Sequence, residues 1–239
     1  MKTSSRRARS LLPAADAYLF DIDGTLLNSR DGVHYNAFHA AVRQVYGIDS
    51  RIDGVPVHGN TDLGILRAVA RRAGLSDSEF ETKLPAAIAC MCAAARHNAA
   101  GMSPELCPSV AELLAGLRQA GKLLGVVSGN LETIGWLKLH AAGLKQFFAF
   151  GSFSDQRELR RDIFAYGIEE VRRRRGGGAR TCFVGDTPAD IEAARLVGSP
   201  ILAVATGIFT RTDLLAHGPD ACIGCCTEVL VIADSKRET

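Results

Sequence analysis

Two carboxylates one residue apart, Asp21 and Asp23, directly follow the apolar run Ala17–Phe20. A short apolar run of this kind predicts a buried strand. Because side chains alternate along a strand, both carboxylates point to the same side while the strand lasts. Like charges so close repel each other, and a cation or a shared proton is needed to keep them together. The pattern therefore predicts a catalytic carboxylate pair at the carboxyl end of a sheet, where open α/β folds bind ligands.

A calcium-binding loop can also begin with Asp-x-Asp-Gly, and a plain Asx turn is the non-functional alternative. An EF-hand loop needs further oxygen ligands and a Glu at its twelfth position. Counted from Asp21, that position holds Gly32. The calcium-loop interpretation therefore fails, and the partners of the carboxylate pair must lie elsewhere in the chain.

Two later apolar runs also end in polar residues. Leu123–Val127 stops at Ser128, and residues 181–184 lead to the carboxylates Asp186 and Asp190. Asp-x-Asp alone can arise by chance, so the evidence for a shared site is that the three segments occur together in this order. We therefore predict three strands whose ends contribute to one site.

These three segments, in this order, resemble the signatures of the haloacid dehalogenase superfamily, in its phosphoglycolate phosphatase-like branch with a helical cap. The resemblance covers roughly residues 17–206, most of the 239 residues. Superfamily dehalogenases resemble the chain in fold but lack an acidic residue at the position of Asp23, because a halide leaves without a proton. Asp23 therefore favours a phosphatase or a phosphomutase.

Phosphoryl transfer requires a nucleophile, neutralisation of the phosphate oxygens and a proton for the leaving group. Asp21 is the expected nucleophile, forming an aspartyl-phosphate. Asp23 is the expected general acid and then general base, a contribution of roughly 10²–10⁴-fold. We therefore expect a haloacid dehalogenase-type phosphoric monoester hydrolase acting on a small phosphorylated metabolite.

The resemblance implies Mg²⁺ as the cofactor. Its metal ligands match Asp21, the backbone carbonyl of Asp23, and Asp186, with Asp190 at the position of a supporting carboxylate. Mg²⁺ prefers six oxygens in near-octahedral geometry and retains several waters.

Ser128 and the backbone amide of Gly129 are the expected phosphate-binding groups. The alternative is that Ser128 caps the helix predicted from Leu131. Both roles are compatible with one another, because the start of a helix is also a place where anions bind.

The position of the positively charged residue departs from the superfamily pattern. A Lys, often followed by Pro, usually precedes the helix before the last catalytic strand, and this chain has no Lys there. Arg160 starts that helical pattern and is one candidate. Lys138, on the helix after Ser128, is the other, and a subset of the superfamily resembles this stretch. We favour Lys138, with Arg160 second, and interpret Arg157 and Arg161 as solvated charges.

Strand and helix signals alternate along most of the chain. The predicted strands are residues 17–20, 123–127, 147–150, 181–184 and 201–204. Alternating units of this kind predict an α/β fold, a Rossmann-like parallel sheet covered by helices on both faces. The resemblance implies that the helical patterns of residues 31–105 form an inserted α-helical cap and that residues 16–30 and 106–239 form the catalytic core. Residues 1–15 are expected to be a disordered basic tail.

A cap selects the phosphate ester by closing over the site. His58 and Thr61 are the candidate substrate contacts, the alternative for Thr61 being the cap of the next helix. A phosphonatase would need a cap lysine for a Schiff base, and Lys83 has acidic neighbours. A β-phosphoglucomutase-like phosphomutase remains the alternative enzyme, and a phosphate-binding, non-catalytic module the alternative outside enzymes.

Composition excludes several other classes. Net charge is +2 and 23% of residues are charged, so no nucleic-acid or membrane partner is expected. No apolar stretch of about 20 residues is present. Without the apolar segment of a secretion signal, the expected location is cytoplasmic. The oligomeric state and the particular ester are not predicted.

Seven cysteines include the cluster Cys222, Cys225 and Cys226. A structural zinc site needs four well-spaced ligands, and one Cys-x-x-Cys without a second half is weak support for it. Cys182 lies within an apolar strand pattern. We therefore expect reduced thiols without a metal.

Overall fold

Apolar runs of a few residues form the strands of the protein. The structure is a computed structural model and describes residues 15–49 and 54–229. In these residues the strands are β1 (Ala17–Phe20), β2 (Leu27–Asn28), β3 (Glu105–Leu106), β4 (Leu123–Val127), β5 (Phe150–Ser152), β6 (Thr181–Gly185), β7 (Ile201–Val204) and β8 (Ala221–Ile223). Six of them form one parallel sheet in the order β5-β4-β1-β6-β7-β8. The α/β prediction is therefore confirmed.

Helices connect these strands. In the described residues they are α1 (Val33–Gln44), α2 (Asp62–Arg72), α3 (Asp77–His97), α4 (Val110–Gln119), α5 (Glu132–Ala141), α6 (Arg160–Arg175), α7 (Pro188–Leu196) and α8 (Arg211–Ala216). Parallel neighbours in a sheet require such crossover connections, because a tight hairpin joins only antiparallel strands.

The central strand β1 has both faces buried. Its side chains alternate, so Tyr18 and Phe20 pack on one face with Leu114 of α4, while Leu19 packs on the other with Phe164 of α6. A strand covered on both faces needs apolar residues at every position, which explains its continuous apolar run. Helices therefore cover both faces of the sheet, as predicted.

Three helices, α1 to α3, lie between β2 and β3 in the chain and have a hydrophobic core of their own. Phe38, Leu66 and Met91 pack together there, and Ile134 of α5 joins them from the main fold. Strands β2 and β3 pair antiparallel where the chain leaves for these helices and returns. This separate core supports the division into a cap, residues 31–105, and a catalytic core, which stays a prediction.

The predicted strand over residues 147–150 is wrong in its position. Residues 145–147 form a 3₁₀ turn, and β5 begins only at Phe150, which pairs with Gly125. The apolar run was misleading because Phe147 and Phe148 pack against the core from the turn that precedes the strand. The strand itself contains Gly151, where a Cβ would lie 2.2 Å from the ring of Phe153.

The predicted tail, residues 1–15, lies outside the described residues except for Ala15. Across residues 15–49 and 54–229, no helix combines the length and the apolar character that crossing a membrane requires.

Candidate active site

The carboxyl ends of three neighbouring strands meet at one edge of the sheet. Asp21 follows β1, Ser128 follows β4, and Asp186 follows β6, with β1 between the other two. These residues line a cavity of about 350 Å³. Asp23, Gly129, Lys138, Arg160 and His58 line the same cavity. The order of the strands therefore brings together the segments that the sequence singled out.

Three buried aspartates form a cluster at this edge. Asp21, Asp186 and Asp190 each offer one carboxylate oxygen within 4.8 Å of the others. Burial, together with the charges of Asp190 and Asp23, raises the pKa of Asp21 to about 6 although Arg160 opposes the shift. Burial, Asp190 and Asp21 hold the pKa of Asp186 well above its usual range. Three carboxylates gathered in this way favour the binding of a cation.

Two glycines give the Asp186 carboxylate its space. A Cβ on Gly24 would lie 2.2 Å from its Oδ2, and one on Gly207 would lie 1.8 Å from the same atom. Gly24 also has a φ of 81°, which favours glycine. The Thr25 hydroxyl donates to the other oxygen, Oδ1, at 2.9 Å. Gly24 and Thr25 belong to the first sequence motif, whereas nothing in the sequence singled out Gly207.

Asp190 uses both carboxylate oxygens within the protein. Arg160 Nε donates to Oδ1 at 2.8 Å, and the Thr187 amide and hydroxyl donate to Oδ2 at 3.0 and 2.7 Å. The contacts to Thr187 form the capping box that begins α7. Asp190 therefore orients Arg160 and fixes the turn after β6.

Arg160, the first residue of α6, binds two of these aspartates. Its NH2 lies 2.7 Å from Asp21 Oδ2 and 2.7 Å from Asp190 Oδ1. Burial alone would lower the pKa of this guanidinium, but the charges of Asp190 and Asp21 outweigh it and raise the pKa. Arg160 is therefore a fixed positive charge in contact with Asp21.

Lys138, on α5, binds the second carboxylate of the motif instead. Its Nζ lies 2.8 and 2.7 Å from the two oxygens of Asp23, and its side chain is only 4% exposed. Burial opposes ionisation of Asp23, but the charge of Lys138 and the hydrogen bonds from Lys138 and Asn130 outweigh it and lower the pKa of Asp23. The Asp23 side chain is 43% exposed, so it faces the open cavity.

Asn130 links the phosphate-binding candidate to the carboxylate pair. Its Nδ2 donates to Ser128 Oγ at 2.7 Å and to Asp23 Oδ2 at 2.8 Å, and its Oδ1 accepts from Lys138 at 2.9 Å. Helix α5 begins after Leu131, whose position has no side-chain cap. Ser128 therefore does not cap this helix, and its hydroxyl faces the cavity.

The start of α2 docks onto the loop after β4. The Asp62 amide donates to Gly129 O at 2.7 Å, and Asp62 Oδ2 accepts from the Leu131 amide at 2.7 Å. Thr61 is buried, donates to Glu158 O at 2.7 Å and accepts from the Gly64 amide at 3.0 Å. The structure thus favours the capping role for Thr61, while the exposed His58 stays at the cavity.

The sequence did not identify His34, which lies 3.0 Å from Lys138 through Nδ1 and 3.1 Å from Asp62 through Nε2. No local pattern distinguishes it from His39 on the same helix. In the sequence, Asp62 and Asn130 stand out only because each directly follows a candidate residue, Thr61 and Gly129 respectively.

The fold and this site agree with a known family. The sequence model of the haloacid dehalogenase-like hydrolases matches residues 15–198. Because the match spans most of the chain, the protein belongs to this family.

Individual relatives narrow the class further. The phosphoglycolate phosphatase of Synechococcus elongatus is 30% identical over 213 residues, 85% of this chain and 90% of its own. That of Mesorhizobium japonicum is 26% identical over 210 residues, 86% and 88% of the two chains. A CbbY variant from Rhodobacter sphaeroides, solved with xylulose-(1,5)bisphosphate, shares the fold at a TM-score of 0.66 and 20% identity, over 88% of this chain and 94% of that one. The protein is a phosphoric monoester hydrolase of the haloacid dehalogenase type.

The cysteine cluster should be dispensable for activity. Cys222 and Cys226 are buried and Cys225 is partly exposed, and none of the three forms a disulfide within the described residues. Within the described residues, the three aspartates are the group whose ligand atoms converge closely enough for a metal ion. We expect the triple variant Cys222→Ala, Cys225→Ala, Cys226→Ala to keep its activity and metal requirement. Elemental analysis and kinetics check this, and stoichiometric zinc that disappears in the variant would contradict it.

Proposed function

We propose that this protein is a Mg²⁺-dependent phosphatase that hydrolyses a small phosphate monoester through an aspartyl-phosphate on Asp21. The observation that carries the proposal is that each carboxylate of the first motif has its own buried cation, Arg160 for Asp21 and Lys138 for Asp23. An anionic nucleophile meets an anionic phosphate in this chemistry, so fixed positive charge is required beside the reacting groups. Different environments also separate a nucleophile from an acid–base residue.

Asp21 is the nucleophile in this proposal. Arg160 holds its Oδ2 at 2.7 Å, so attack on phosphorus falls to Oδ1. The bond from phosphorus to the leaving oxygen breaks as the bond to Asp21 forms, and water then hydrolyses the aspartyl-phosphate. Attack by a side-chain oxygen divides one difficult displacement into two easier ones.

Asp23 gives the leaving oxygen its proton and later takes a proton from the attacking water. Its lowered pKa keeps Asp23 ionised, and the ionised form is the one that can accept a proton. The negative charge of a bound phosphate raises the pKa of a neighbouring carboxyl, which suits proton donation to the leaving oxygen. Lys138 and Asn130 hold the carboxylate in place through hydrogen bonds.

Ser128 and Gly129 bind the phosphate in this proposal. Ser128 Oγ already accepts a hydrogen bond from Asn130, so its own hydrogen is available to donate to a phosphate oxygen. Gly129 must lack a side chain because a Cβ there would lie 2.5 Å from the carbonyl oxygen of Asn60.

The donor set fits Mg²⁺. Three buried carboxylate oxygens lie within 4.8 Å of one another, and Mg²⁺ is held by one or two carboxylates plus waters and substrate phosphate. Asp21, Asp186 and the backbone carbonyl of Asp23 would hold it, with Asp190 supporting through Arg160. When bound, the ion neutralises charge on the carboxylates and on the phosphate.

A small substrate is supported by the cavity and by the relatives. About 350 Å³ is near the lower end of ligand pockets in general. The inserted helices contribute His34 and Tyr35 to its lining, and His58 comes from the loop before α2. Two relatives are named for a small phosphate ester, phosphoglycolate.

Hydrolysis of a panel of phosphate monoesters with Mg²⁺ tests the proposal. The panel contains p-nitrophenyl phosphate, phosphoglycolate, glycerol phosphate and sugar phosphates, with released inorganic phosphate as the readout. We expect turnover that stops on full chelation with EDTA and returns with added Mg²⁺. Activity that survives chelation would rule out the metal-dependent mechanism, and conversion of a sugar phosphate without phosphate release would indicate a mutase.

A further inference from the structure

A continuous chain of polar contacts runs from the inserted helices to Asp23. Asp62 Oδ2 lies 3.1 Å from His34 Nε2, His34 Nδ1 lies 3.0 Å from Lys138 Nζ, and Lys138 Nζ lies 2.7 Å from Asp23 Oδ2. Asp62 and Lys138 are buried. Two of the four residues, His34 and Asp62, have no role in the function proposed above.

The direction of each hydrogen bond follows from the donors available. The Lys138 ammonium carries three hydrogens and no acceptor, so His34 Nδ1 must accept from it. The hydrogen of the neutral imidazole then lies on Nε2 and donates to the Asp62 carboxylate, which also fixes the ring orientation. Stacking on Phe38, with ring centroids 5.0 Å apart, holds the same ring from one face.

Lys138 has no hydrogen left for the substrate in this arrangement. Four acceptor atoms surround it within 3.0 Å: both oxygens of Asp23, Asn130 Oδ1 and His34 Nδ1. Three hydrogens are therefore fully used, with one shared between the two oxygens of Asp23. Lys138 therefore acts on the reaction through its partners, and Asp23 is the partner that exchanges protons in the proposed mechanism.

The outer end of the chain also fixes the helix that carries Lys138. Asp62 Oδ2 accepts from the Leu131 amide at 2.7 Å, at the first turn of α5. An anionic side chain at this position stabilises the start of a helix. Asp62 therefore positions Lys138 twice, through His34 and through the start of α5.

We propose that His34 and Asp62 are positioning residues for the acid–base step: they hold Lys138, and through it Asp23, in the orientation that serves the leaving group. The inference rests on the proposed phosphatase function and extends it to two residues of the inserted helices. Losing His34 leaves three acceptors for the three hydrogens of Lys138, so the ammonium turns to give each oxygen of Asp23 its own hydrogen, and the geometry of the Lys138–Asp23 pair changes.

Leaving-group dependence separates this role from a merely structural one. An alkoxide needs a proton to leave, whereas p-nitrophenolate leaves readily without one. The ratio kcat/KM includes departure of the leaving group and excludes the later hydrolysis of the aspartyl-phosphate, if the first transfer is irreversible. A misplaced acid therefore lowers kcat/KM for an alkyl phosphate more than for p-nitrophenyl phosphate, and a general loss of folded protein lowers both equally.

Three variants and a matched control complete the design. His34→Ala removes the acceptor, and His34→Asn can place an amide oxygen near the position of Nδ1. Asp62→Asn removes the negative charge from the position of Oδ2, the atom that accepts from both His34 and the Leu131 amide, and so weakens both contacts while keeping the size of the side chain. His39→Ala is the control, because His39 is on the same helix and its Nε2 has no partner among the described residues.

Steady-state kinetics with p-nitrophenyl phosphate and the fastest alkyl phosphate of the panel test the inference. We expect His34→Ala and Asp62→Asn to lower kcat/KM for the alkyl phosphate about tenfold more than for p-nitrophenyl phosphate, a part of the roughly 10²–10⁴-fold range of acid–base catalysis. We expect His34→Asn to recover part of that difference and His39→Ala to show none. Equal losses on both substrates, or no loss, in folded His34→Ala and Asp62→Asn would overturn the inference while EDTA-sensitive wild-type activity leaves the proposed function standing. A wild-type protein without such activity overturns both.

Discussion

Asp21→Asn should abolish turnover and leave the protein folded. The amide is nearly the same size and keeps an oxygen that can accept from Arg160, but it cannot attack phosphorus as a carboxylate does. We expect less than about a thousandth of the wild-type kcat, the scale of loss when a nucleophile is removed. Phosphate release measures the activity and circular dichroism the fold. Asp23→Asn is the matched control, because it should lose acid–base catalysis while still permitting transfer from p-nitrophenyl phosphate to Asp21. If Asp21→Asn keeps more than about a thousandth of the wild-type kcat, Asp21 is not the nucleophile.

The same variant should be more stable than the wild type when metal is absent. The folded-state pKa of Asp21, about 6, lies above the ordinary value of 3.8, so the buried carboxylate disfavours folding once it is ionised. Below the ordinary pKa, Asp21 is protonated in both the folded and the unfolded protein and does not disfavour folding. As pH rises, the unfolded protein loses this proton first, so the free energy of unfolding falls until pH passes about 6. The gain from Asn is therefore greatest above pH 6, at most about 3 kcal/mol from a shift of this size. Thermal melts in EDTA from pH 4 to 8 check this, and a gain that grows on acidification would have the wrong sign.

Arg160→Ala should lower kcat/KM by at least about 10²-fold, the scale of one removed electrostatic contact in a catalytic site. Arg160 is buried and touches both Asp21 and Asp190, so its loss leaves two carboxylates without their cation. Because its partner is the nucleophile, we expect similar losses for p-nitrophenyl phosphate and for alkyl phosphates. Arg160→Lys should restore little, since an ammonium cannot reproduce the forked contact. Kinetics on both substrates provide the measurement.

Arg161→Ala is the control for this prediction. Arg161 is the next residue on α6, and its side chain is 57% exposed. It should change activity little. Lys138→Ala should also cost at least about 10²-fold, but mainly on alkyl phosphates, because its partner is Asp23. If Arg160→Ala is nearly as active as Arg161→Ala, the prediction is wrong and Lys138 alone supplies the catalytic positive charge.

The convergence of Asp21, Ser128 and Asp186 could be predicted because it depends on local signals. Each follows an apolar run, and parallel strands that lie side by side in the sheet bring such ends to one edge. The sequence also identified Lys138 and Arg160 as the two candidate cations. Which carboxylate each one touches depends on where α5 and α6 pack, and no residue pattern contains that information.

The His34–Asp62 contact could not be predicted for a related reason. The two residues are 28 positions apart on different helices, and their contact depends on how α1 and α2 pack together. The misplaced strand at residues 147–150 has the same origin, since Phe147 and Phe148 are apolar because they pack, partly buried, against the core from the turn before β5. Close approaches such as that of Gly207 to Asp186 are equally invisible before the fold is known.

The docking of α2 onto the loop after β4 constrains how this enzyme can be re-engineered. Asp62 donates to Gly129 and accepts from Leu131, so the inserted helices supply hydrogen-bond partners to the backbone on both sides of Asn130. A chimera that replaces residues 31–105 with the helices of another enzyme would exchange more than the walls that recognise the substrate. Unless the donor helices carry a carboxylate at the position of Asp62, the graft would leave the Leu131 amide unpaired. It would then loosen the loop after β4, which carries Ser128 and Gly129. Specificity and reactivity are therefore not separable modules in this protein, and a graft should be judged first by whether that loop keeps both partners.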